Sequence, residues 1–174
     1  SIGSGSDDDT QTGGIVGNIR ASEMSNCYNS GTILKTDKSE CVGGIVGYIG
    51  VSYVFTSGKP LPEMTNVSHI RNCYNSGQII STSSSTLKGV VGNWFVSQSY
   101  TGPSPIEVCI ENCYFDSQIA GFDHESWGLS TRELTSRLPN GFDTEKWTKE
   151  SGKYPVLYTG KASQARELSP LPLI

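Results

Sequence analysis

Charged residues are scarce in this chain, since Asp, Glu, Lys and Arg make up 17% of its 174 residues and the net charge is −4. An average soluble protein carries roughly 25% of these residues. A slightly acidic chain with few charges lacks the positive stripe that binding to a phosphate backbone requires. Nucleic acid is therefore not predicted to be a partner.

Long apolar runs are also missing. No segment approaches the roughly 20 consecutive apolar residues of a membrane-spanning helix, so membrane insertion is not predicted. The first six residues have neither the basic region nor the apolar core of a secretory signal. We therefore expect a mature product or an excised fragment of a longer protein.

Glycine, by contrast, is abundant, at 20 of 174 residues, above the usual share of roughly 7%. Much of it belongs to two recurring motifs, and their spacers differ in length. Gly-Gly-Ile-Val-Gly at 13–17 returns at 43–47, and as Lys-Gly-Val-Val-Gly at 88–92. Asn-Cys-Tyr-Asn-Ser-Gly-x-Ile begins at Asn26 and again at Asn72, with a looser third copy at 112–119. Constant motifs joined by variable spacers are typical of a solenoid.

Each motif has the character of short strands and turns. Gly-Ile-Val-Gly is too short for a helix, and its flanking glycines allow bends or close backbone approach. The second motif predicts a strand, a turn, and a further strand opening at Ile33, Ile79 or Ile119. Strands one repeat apart would pair in parallel at about 4.7–4.9 Å. The sequence thus predicts an all-β, parallel β-solenoid resembling a β-helix, with right-handed winding as the default.

In such a stack, equivalent residues of successive repeats would lie above one another in columns. The motif cysteines are Cys27, Cys73 and Cys113, and the motif tyrosines are Tyr28, Tyr74 and Tyr114. We interpret the three cysteines as small apolar core groups. Five cysteines leave at least one thiol unpaired in a monomer, and which of them pair is left open.

The pattern changes near the C-terminus, where a short helix-plus-strand cap is predicted. Ser130 and Glu133 have the spacing of a capping box, and Pro139 follows as a stop. We expect this cap to close the open end of the stack and bury its strand edges. The predicted division is a flexible flank at 1–12, repeats at 13–128, the cap at 129–158, and a tail or interrupted continuation at 159–174.

These motifs together resemble the GLUG-repeat family, whose Gly-Leu-hydrophobic-Gly pattern stands at 14–17, 44–47 and 89–92. The companion segments at 26–31 and 72–77 are similar too, and so are the residues of the C-terminal part: Phe142-Asp143, Trp147 and Gly152-Lys153-Tyr154-Pro155-Val156-Leu157. The resemblance covers about residues 13–158. Ile or Val replaces Leu throughout, and Asn-Ser-Gly becomes Asp116-Ser117-Gln118 in the last copy, which predicts a different turn into the cap.

The resemblance implies a large bacterial surface or secreted protein in which such repeats form a stalk or adhesive region. Some immunoglobulin A peptidases carry the same repeats outside a catalytic domain that depends on a His-Glu-x-x-His helix. His69 and His124 are the two histidines here, and neither has that spacing. The peptidase chemistry is therefore not carried over.

Three other groups of residues could suggest a metal site or a catalytic site, but for each of them we favour a structural interpretation. Asp7-Asp8-Asp9 lacks the alternating ligands of a calcium loop and reads as a solvated terminus. Asp123-His124-Glu125 is predicted to be an exposed polar turn, and His69 a polar residue where a loop meets a strand. Cys109 and Cys113 lie four residues apart without partners to complete a zinc set. No catalytic, cofactor-binding or metal-binding residue is predicted.

The predicted function is that of a non-catalytic structural or adhesion-type repeat module, outside the cell or at its surface, with a host or environmental glycan or protein as partner. The alternative is an accessory region of a secreted peptidase or glycan-active enzyme whose catalytic domain lies elsewhere. A third possibility is a glycan-active β-helix, but its clustered carboxylates are missing from the motifs. The tyrosines could stack on sugar rings, although a tyrosine ladder more often supports itself.

Overall fold

The computed structural model describes residues 10–35, 39–50, 55–56, 59–60, 68–81, 87–94, 108–121 and 127–158. In this part of the chain, strands are many and the two helices are short. None of the helices in these ranges is long and apolar enough to cross a membrane. The prediction of an all-β protein is confirmed.

The chain makes three successive passes, which we number by their order. The first pass comprises β1 (Thr10–Gly13), β2 (Val16–Arg20), β3 (Glu23–Ser25), β4 (Tyr28–Asn29) and β5 (Ile33–Lys35). The second comprises β6 (Ser39–Gly43), β7 (Val46–Gly50), a hairpin of β8 (Phe55–Thr56) and β9 (Lys59–Pro60), then β10 (Ser68–Arg71), β11 (Tyr74–Asn75) and β12 (Ile79–Ser81).

The third pass comprises β13 (Leu87–Lys88), β14 (Val91–Trp94), β15 (Val108–Glu111), β16 (Tyr114–Asp116) and helix α1 (Ser117–Ala120). After it come β17 (Gly128–Leu129), helix α2 (Thr131–Ser136), β18 (Trp147–Thr148) and β19 (Val156–Leu157). Ser130 and Glu133 form both halves of the predicted capping box at the start of α2.

Equivalent strands of successive passes pair in parallel, which is consistent with a β-helix. The sheets are β1-β6-β13, β2-β7-β14, β3-β10-β15, β4-β11-β16-β17 and β5-β12. Register places identical motif residues side by side, as with Tyr28, Tyr74 and Tyr114. Ile33 likewise pairs with Ile79. The predicted columns are therefore present.

The motif glycines are required by close backbone packing. A Cβ on Gly44 would lie 2.0 Å from the carbonyl oxygen of Gly89 in the next pass. A Cβ on Gly47 would lie 2.6 Å from the Gly17 carbonyl and 2.7 Å from the Thr12 amide. No side chain fits between these strands, so the glycines are needed for space rather than for an unusual backbone angle.

The interior is filled by the apolar residues of the motifs. The main cluster joins Ile45, Val46 and Ile49 of the second pass to Val90 and Val91 of the third, and all five are buried. At the equivalent place in the first pass Ile15 is 45% exposed, whereas Ile45 is fully buried. The first pass thus forms an end of the stack in the described structure.

The third copy of the second motif departs from the prediction at Ile119. We expected this residue to open a strand, as Ile33 and Ile79 do, but it lies in α1 and is 41% exposed. Asp116 is the physical reason, because one of its oxygens accepts hydrogen bonds from the amides of Gln118 (3.0 Å) and Ile119 (3.1 Å). These bonds cap a helix where the earlier copies make a turn. The predicted difference in the last turn is confirmed.

The predicted boundaries of the chain can be compared with the structure at two places. Strand β1 begins at Thr10, so the proposed boundary after residue 12 falls inside a strand. Residues 1–9 and 159–174 lie outside the described residues. The four-part division stays a prediction.

Candidate functional site

The three motif tyrosines form a column on the outside of the stack, and a later part of the chain covers it. We call residues 139–158 the C-terminal segment. The rings of Tyr28 and Tyr74 stack with centroids 5.5 Å apart and planes 7° apart. Trp147 lies 5.8 Å from the Tyr74 ring, and Phe142 lies 6.1 Å from that of Tyr114. Tyr74 is only 1% exposed, so it is a packing residue and not a platform for a ligand.

Hydrogen bonds attach the C-terminal segment to every pass. Trp147 Nε1 donates to Asn26 Oδ1 of the first pass at 3.1 Å. The Tyr74 hydroxyl donates to the Pro155 carbonyl. In the third pass, the Tyr114 hydroxyl donates to the Asn140 carbonyl at 3.3 Å. These contacts run along the side of the stack, whereas β17, where the predicted cap begins, pairs in parallel with β16 and covers a strand edge of the last pass, as expected of a cap.

A buried carboxylate completes this attachment. The Tyr154 hydroxyl donates to Asp116 Oδ2 at 2.5 Å, while the other Asp116 oxygen caps α1. Burial, together with the negative charge of Asp116, raises the pKa of Tyr154 to about 12. Asp116 therefore ties the start of α1 to the C-terminal segment.

Inside the stack, asparagine side chains form a ladder. Asn29 Nδ2 donates to Asn75 Oδ1 at 2.9 Å. Each asparagine also closes its own turn, because Asn29 exchanges hydrogen bonds with the backbone of Gly31 and Asn75 does so with Gly77. The buried amides are thus satisfied by their own turn and by the next pass.

The motif cysteines form a second inner column. The thiols of Cys27, Cys73 and Cys113 each donate to the carbonyl two residues earlier, at 3.1–3.3 Å. Hydrogen bonding to Cys113, together with burial, raises the pKa of the Cys73 thiol. Burial likewise raises the pKa of Cys27. Hydrogen bonding to Cys73 lowers the pKa of Cys113. Cys73 and Cys113 are buried, as the interpretation of these residues as core groups predicts, whereas Cys27 is half-buried.

A polar surface lies on the outside of the sheet β3-β10-β15. Side chains alternate along these strands, so that Ile70 points into the core while His69 and Arg71 point outward. Register places Glu23 and Cys109 on either side of His69, and Glu111 beside Arg71. We call these five residues the outer polar face.

Most of the outer polar face is joined by short contacts. Cys109 Sγ donates to Glu111 Oε1 at 3.0 Å, and Glu111 Oε2 lies 3.4 Å from Arg71 Nε. Arg71 Nη2 lies 2.8 Å from His69 Nδ1. Arginine can only donate, so Nδ1 accepts and the neutral ring carries its proton on Nε2. The face therefore presents donors and acceptors in a fixed arrangement.

A small cavity lies between α2 and the third pass. Its volume is about 60 Å³, and it is lined by Tyr114, Leu129, Glu133, Arg137, Pro139 and Asn140. A water molecule occupies roughly 30 Å³ in the liquid, and cofactor sites are several times larger than this cavity. It is suited to one or two waters.

The candidate residues considered in the sequence do not converge on one site. His69 lies in β10, within a strand rather than before it, and belongs to the outer polar face. Asp7-Asp8-Asp9 and Asp123-His124-Glu125 fall outside the described residues. Within the residues that are described, no three His, Cys, Asp or Glu side chains are placed to hold a metal ion. Sequence reasoning missed the outer polar face, because its residues come from three passes and only the strand register brings them together.

Comparison with known families finds a match in the first pass. The GLUG motif matches residues 8–34, which include β1, β2 and the first Asn-Cys-Tyr copy. The chain carries a GLUG motif. The GLUG copy at 14–17 is the one whose glycine packing recurs at 44–47 and 89–92. No curated protein and no solved structure matches the chain.

Proposed function

We propose that this GLUG-containing chain is a right-handed parallel β-solenoid that acts as a non-catalytic structural or adhesion-type module. One observation supports the proposal above all others. The repeated residues contact one another between passes. Asn29 forms a hydrogen bond with Asn75, Tyr28 stacks on Tyr74, and the motif glycines leave room for the backbone of the next pass. Because the motif side chains contact the neighbouring passes, the motif specifies a scaffold. The residues that point outward can vary without affecting the stacking.

We place the module outside the cell or at the surface of a bacterium, as the family resemblance implies. Its proposed partner is a host or environmental glycan or protein. The outer polar face suits this role, since it combines the carboxylate of Glu23 with the ring N–H of His69 on neighbouring strands of one sheet. Sugar hydroxyl groups both donate and accept hydrogen bonds, so they complement such a surface.

A glycan array probed with the whole chain tests the adhesion role. We expect saturable binding that is reduced in the variant Glu23→Ala. Ser136→Ala is the matched control, because Ser136 is exposed on α2, away from the outer polar face. Binding that is absent from both glycan and host-protein arrays would contradict the adhesion role.

The non-catalytic part of the proposal has its own test. The same polysaccharides are incubated with the chain and assayed for new reducing ends. No release above that of a heat-inactivated sample is expected. Release that depends on Glu23 or Glu111 would favour a glycan-active enzyme instead. A crystal structure would decide the handedness, and left-handed winding would refute that part.

A further inference from the structure

We propose that the open edge of the first pass is a docking surface for a pass of another polypeptide chain that carries the same two motifs. The docked pass adds in parallel, as the first pass adds to the second. This surface is separate from the outer polar face, and its use does not depend on glycan binding. At the third pass, β17 covers a strand edge, and Val90 and Val91 are fully buried. At the first pass, Ile15 is half-exposed, and each of β1 to β5 lies at the edge of its sheet in the described residues.

The open edge presents backbone acceptors in the arrangement that the second pass offers to the first. The Ile45 carbonyl accepts hydrogen bonds from the amides of Ile15 (3.0 Å) and Val16 (3.2 Å). The Ile15 carbonyl holds the same place in the first pass, and no donor from the described part of the chain reaches it. An edge with unpaired backbone groups is a template for strand addition by another chain.

Backbone donors at the open edge repeat the arrangement as well. The amides of Tyr74 and Ser76 donate to carbonyl groups of the first pass at 3.1 and 2.9 Å. Tyr28 and Ser30 hold the same places one pass earlier, and their amides have no acceptor among the residues that the structure describes. A parallel pass placed on this edge would supply carbonyl groups to both amides.

The asparagine ladder ends at the same edge with an acceptor to spare. Asn75 Oδ1 accepts two hydrogen bonds, from the Gly77 amide at 3.0 Å and from Asn29 Nδ2 at 2.9 Å. In the described structure Asn29 Oδ1 accepts one, from the Gly31 amide at 3.1 Å. An amide oxygen has two lone pairs, and Asn29 is only 8% exposed. The side chain that completes this acceptor is an asparagine amide in the motif of the incoming pass.

The glycine spacing restricts which segment fits. A Cβ on Gly14 would lie 2.2 Å from the Gly44 carbonyl oxygen, and a Cβ on Gly44 would lie 2.0 Å from that of Gly89. A pass that stacks on Gly14 in the same way must therefore have glycine opposite it. The partner is thus a segment with the Gly-Gly-Ile-Val-Gly motif rather than any extended peptide.

The sequence directly ahead of β1 favours a partner from another chain. Residues 4–9 are Ser-Gly-Ser-Asp-Asp-Asp and include no apolar residue. The strands that lead from one pass into the next, β5 and β12, begin at Ile33 and Ile79. Residues 4–9 therefore do not continue the repeat, and the pass that completes the open edge is supplied in trans.

A synthetic peptide of residues 10–35 is the probe, because it is one whole pass with both motifs. It is added unlabelled to the isotope-labelled whole chain, and amide hydrogen exchange is followed by NMR. We expect exchange at Tyr28 and Ser30 to slow at saturation by about fivefold or more, the size of one net hydrogen bond. The matched control peptide carries Gly14→Val and should slow neither amide. No slowing with the unmodified peptide, or equal slowing with the control peptide, would overturn the proposal.

Variants on both sides of the interface separate docking at this edge from binding elsewhere. The peptide variant Asn29→Ala should bind more weakly, because it cannot donate to Asn29 of the chain. In the chain, Ile15→Asp should weaken binding at least about tenfold by placing a carboxylate under the docked pass. Ile119→Asp, at a similarly exposed isoleucine on α1, should leave binding unchanged. Equal binding by the two chain variants would refute the site. Slowing at Tyr28 and Ser30 that rises with the concentration of the chain alone would assign the edge to a second copy instead.

Discussion

The second and third copies of the Asn-Cys-Tyr motif begin alike and end differently. In the second copy, Asn75 closes a turn on Gly77 with two hydrogen bonds of 3.0 Å, and the chain continues into β12. In the third, Phe115 takes the register position of Asn75, and Asp116 starts a helix. Two side chains thus decide whether the chain goes on as a strand.

The same two positions also decide where the inner amide ladder ends. Asn75 packs against Gly44 and Phe115 packs against Gly89, so an amide and an aromatic ring fill equivalent spaces. Asn75 accepts a hydrogen bond from the amide of Asn29, but Phe115 has no amide to extend the ladder. The comparison teaches that one motif can both propagate a stack and terminate it.

The largest effect is expected from Trp147→Ala. Trp147 packs against Tyr28 and Tyr74 and donates to Asn26, so its loss affects the first two copies directly. We expect the free energy of unfolding to fall by about 3–5 kcal/mol. Denaturant titration measures this, and hydrogen exchange should show a greater loss of protection at 26–29 than at 112–116. Trp94→Ala, at a half-exposed position, is the control. Equal losses at the two copies would count against the asymmetry.

Gly44→Ala is expected to be next, at about 3 kcal/mol, the upper end for an overpacked core. Its Cβ would meet a backbone carbonyl of the next pass, which cannot move without disturbing a parallel pair. Gly89→Ala would place its Cβ 2.1 Å from Cγ of the fully buried Phe115 ring and should cost about as much, because Cγ cannot move away without its strand. Thermal unfolding of both variants compares the two copies. A loss below about 1 kcal/mol in either variant would contradict this close packing.

Asn75→Ala should cost about 2 kcal/mol, because it removes the two bonds to the Gly77 backbone and one of the two partners of the Asn29 amide. Asp116→Ala, a change at the residue that ends the strand in the third copy, should cost about 1 kcal/mol through loss of a helix cap. Chemical denaturation of the two variants tests the order. A costlier Asp116→Ala would mean that its bond to Tyr154 outweighs the cap.

The smallest effect is the part of the alkaline pH dependence that Tyr154 contributes, beside that of Tyr74, whose pKa burial also raises. The pKa of Tyr154 is raised from 10.0 to about 12 in the folded chain, so folding favours its protonated form. The stabilisation is complete below pH 10 and is lost as the pH rises towards 12. Tyr154→Phe should flatten the fall in unfolding free energy over this range. An unchanged slope would show that the pKa of Tyr154 is not raised in the folded chain.

The sequence was sufficient for the parallel columns, because identical motifs on stacked passes place Cys27 beside Cys73 and Tyr28 beside Tyr74. It was sufficient for the α2 cap too, since Ser130 and Glu133 are local neighbours. The outer polar face could not be predicted from the sequence. Glu23, Arg71 and Glu111 lie outside the motifs, and spacers of unequal length hide their register.

The path of the C-terminal segment could not be predicted either, because no local pattern indicates which surface Trp147 and Tyr154 contact. Its aromatic residues could have packed on an end of the stack as well as on its side. The decisive partners, Asn26 and Asp116, are polar residues whose roles emerge only from the folded geometry.

The bond between Trp147 and Asn26 joins residues that are 121 positions apart. In an ordinary repeat array each unit senses only its neighbours, so the ends fray and growth proceeds step by step. Here the first pass gains its last contacts from the end of the described chain. We therefore expect the first pass to complete its contacts only after residue 147 has emerged during synthesis, so that the stack folds more cooperatively than an ordinary repeat array.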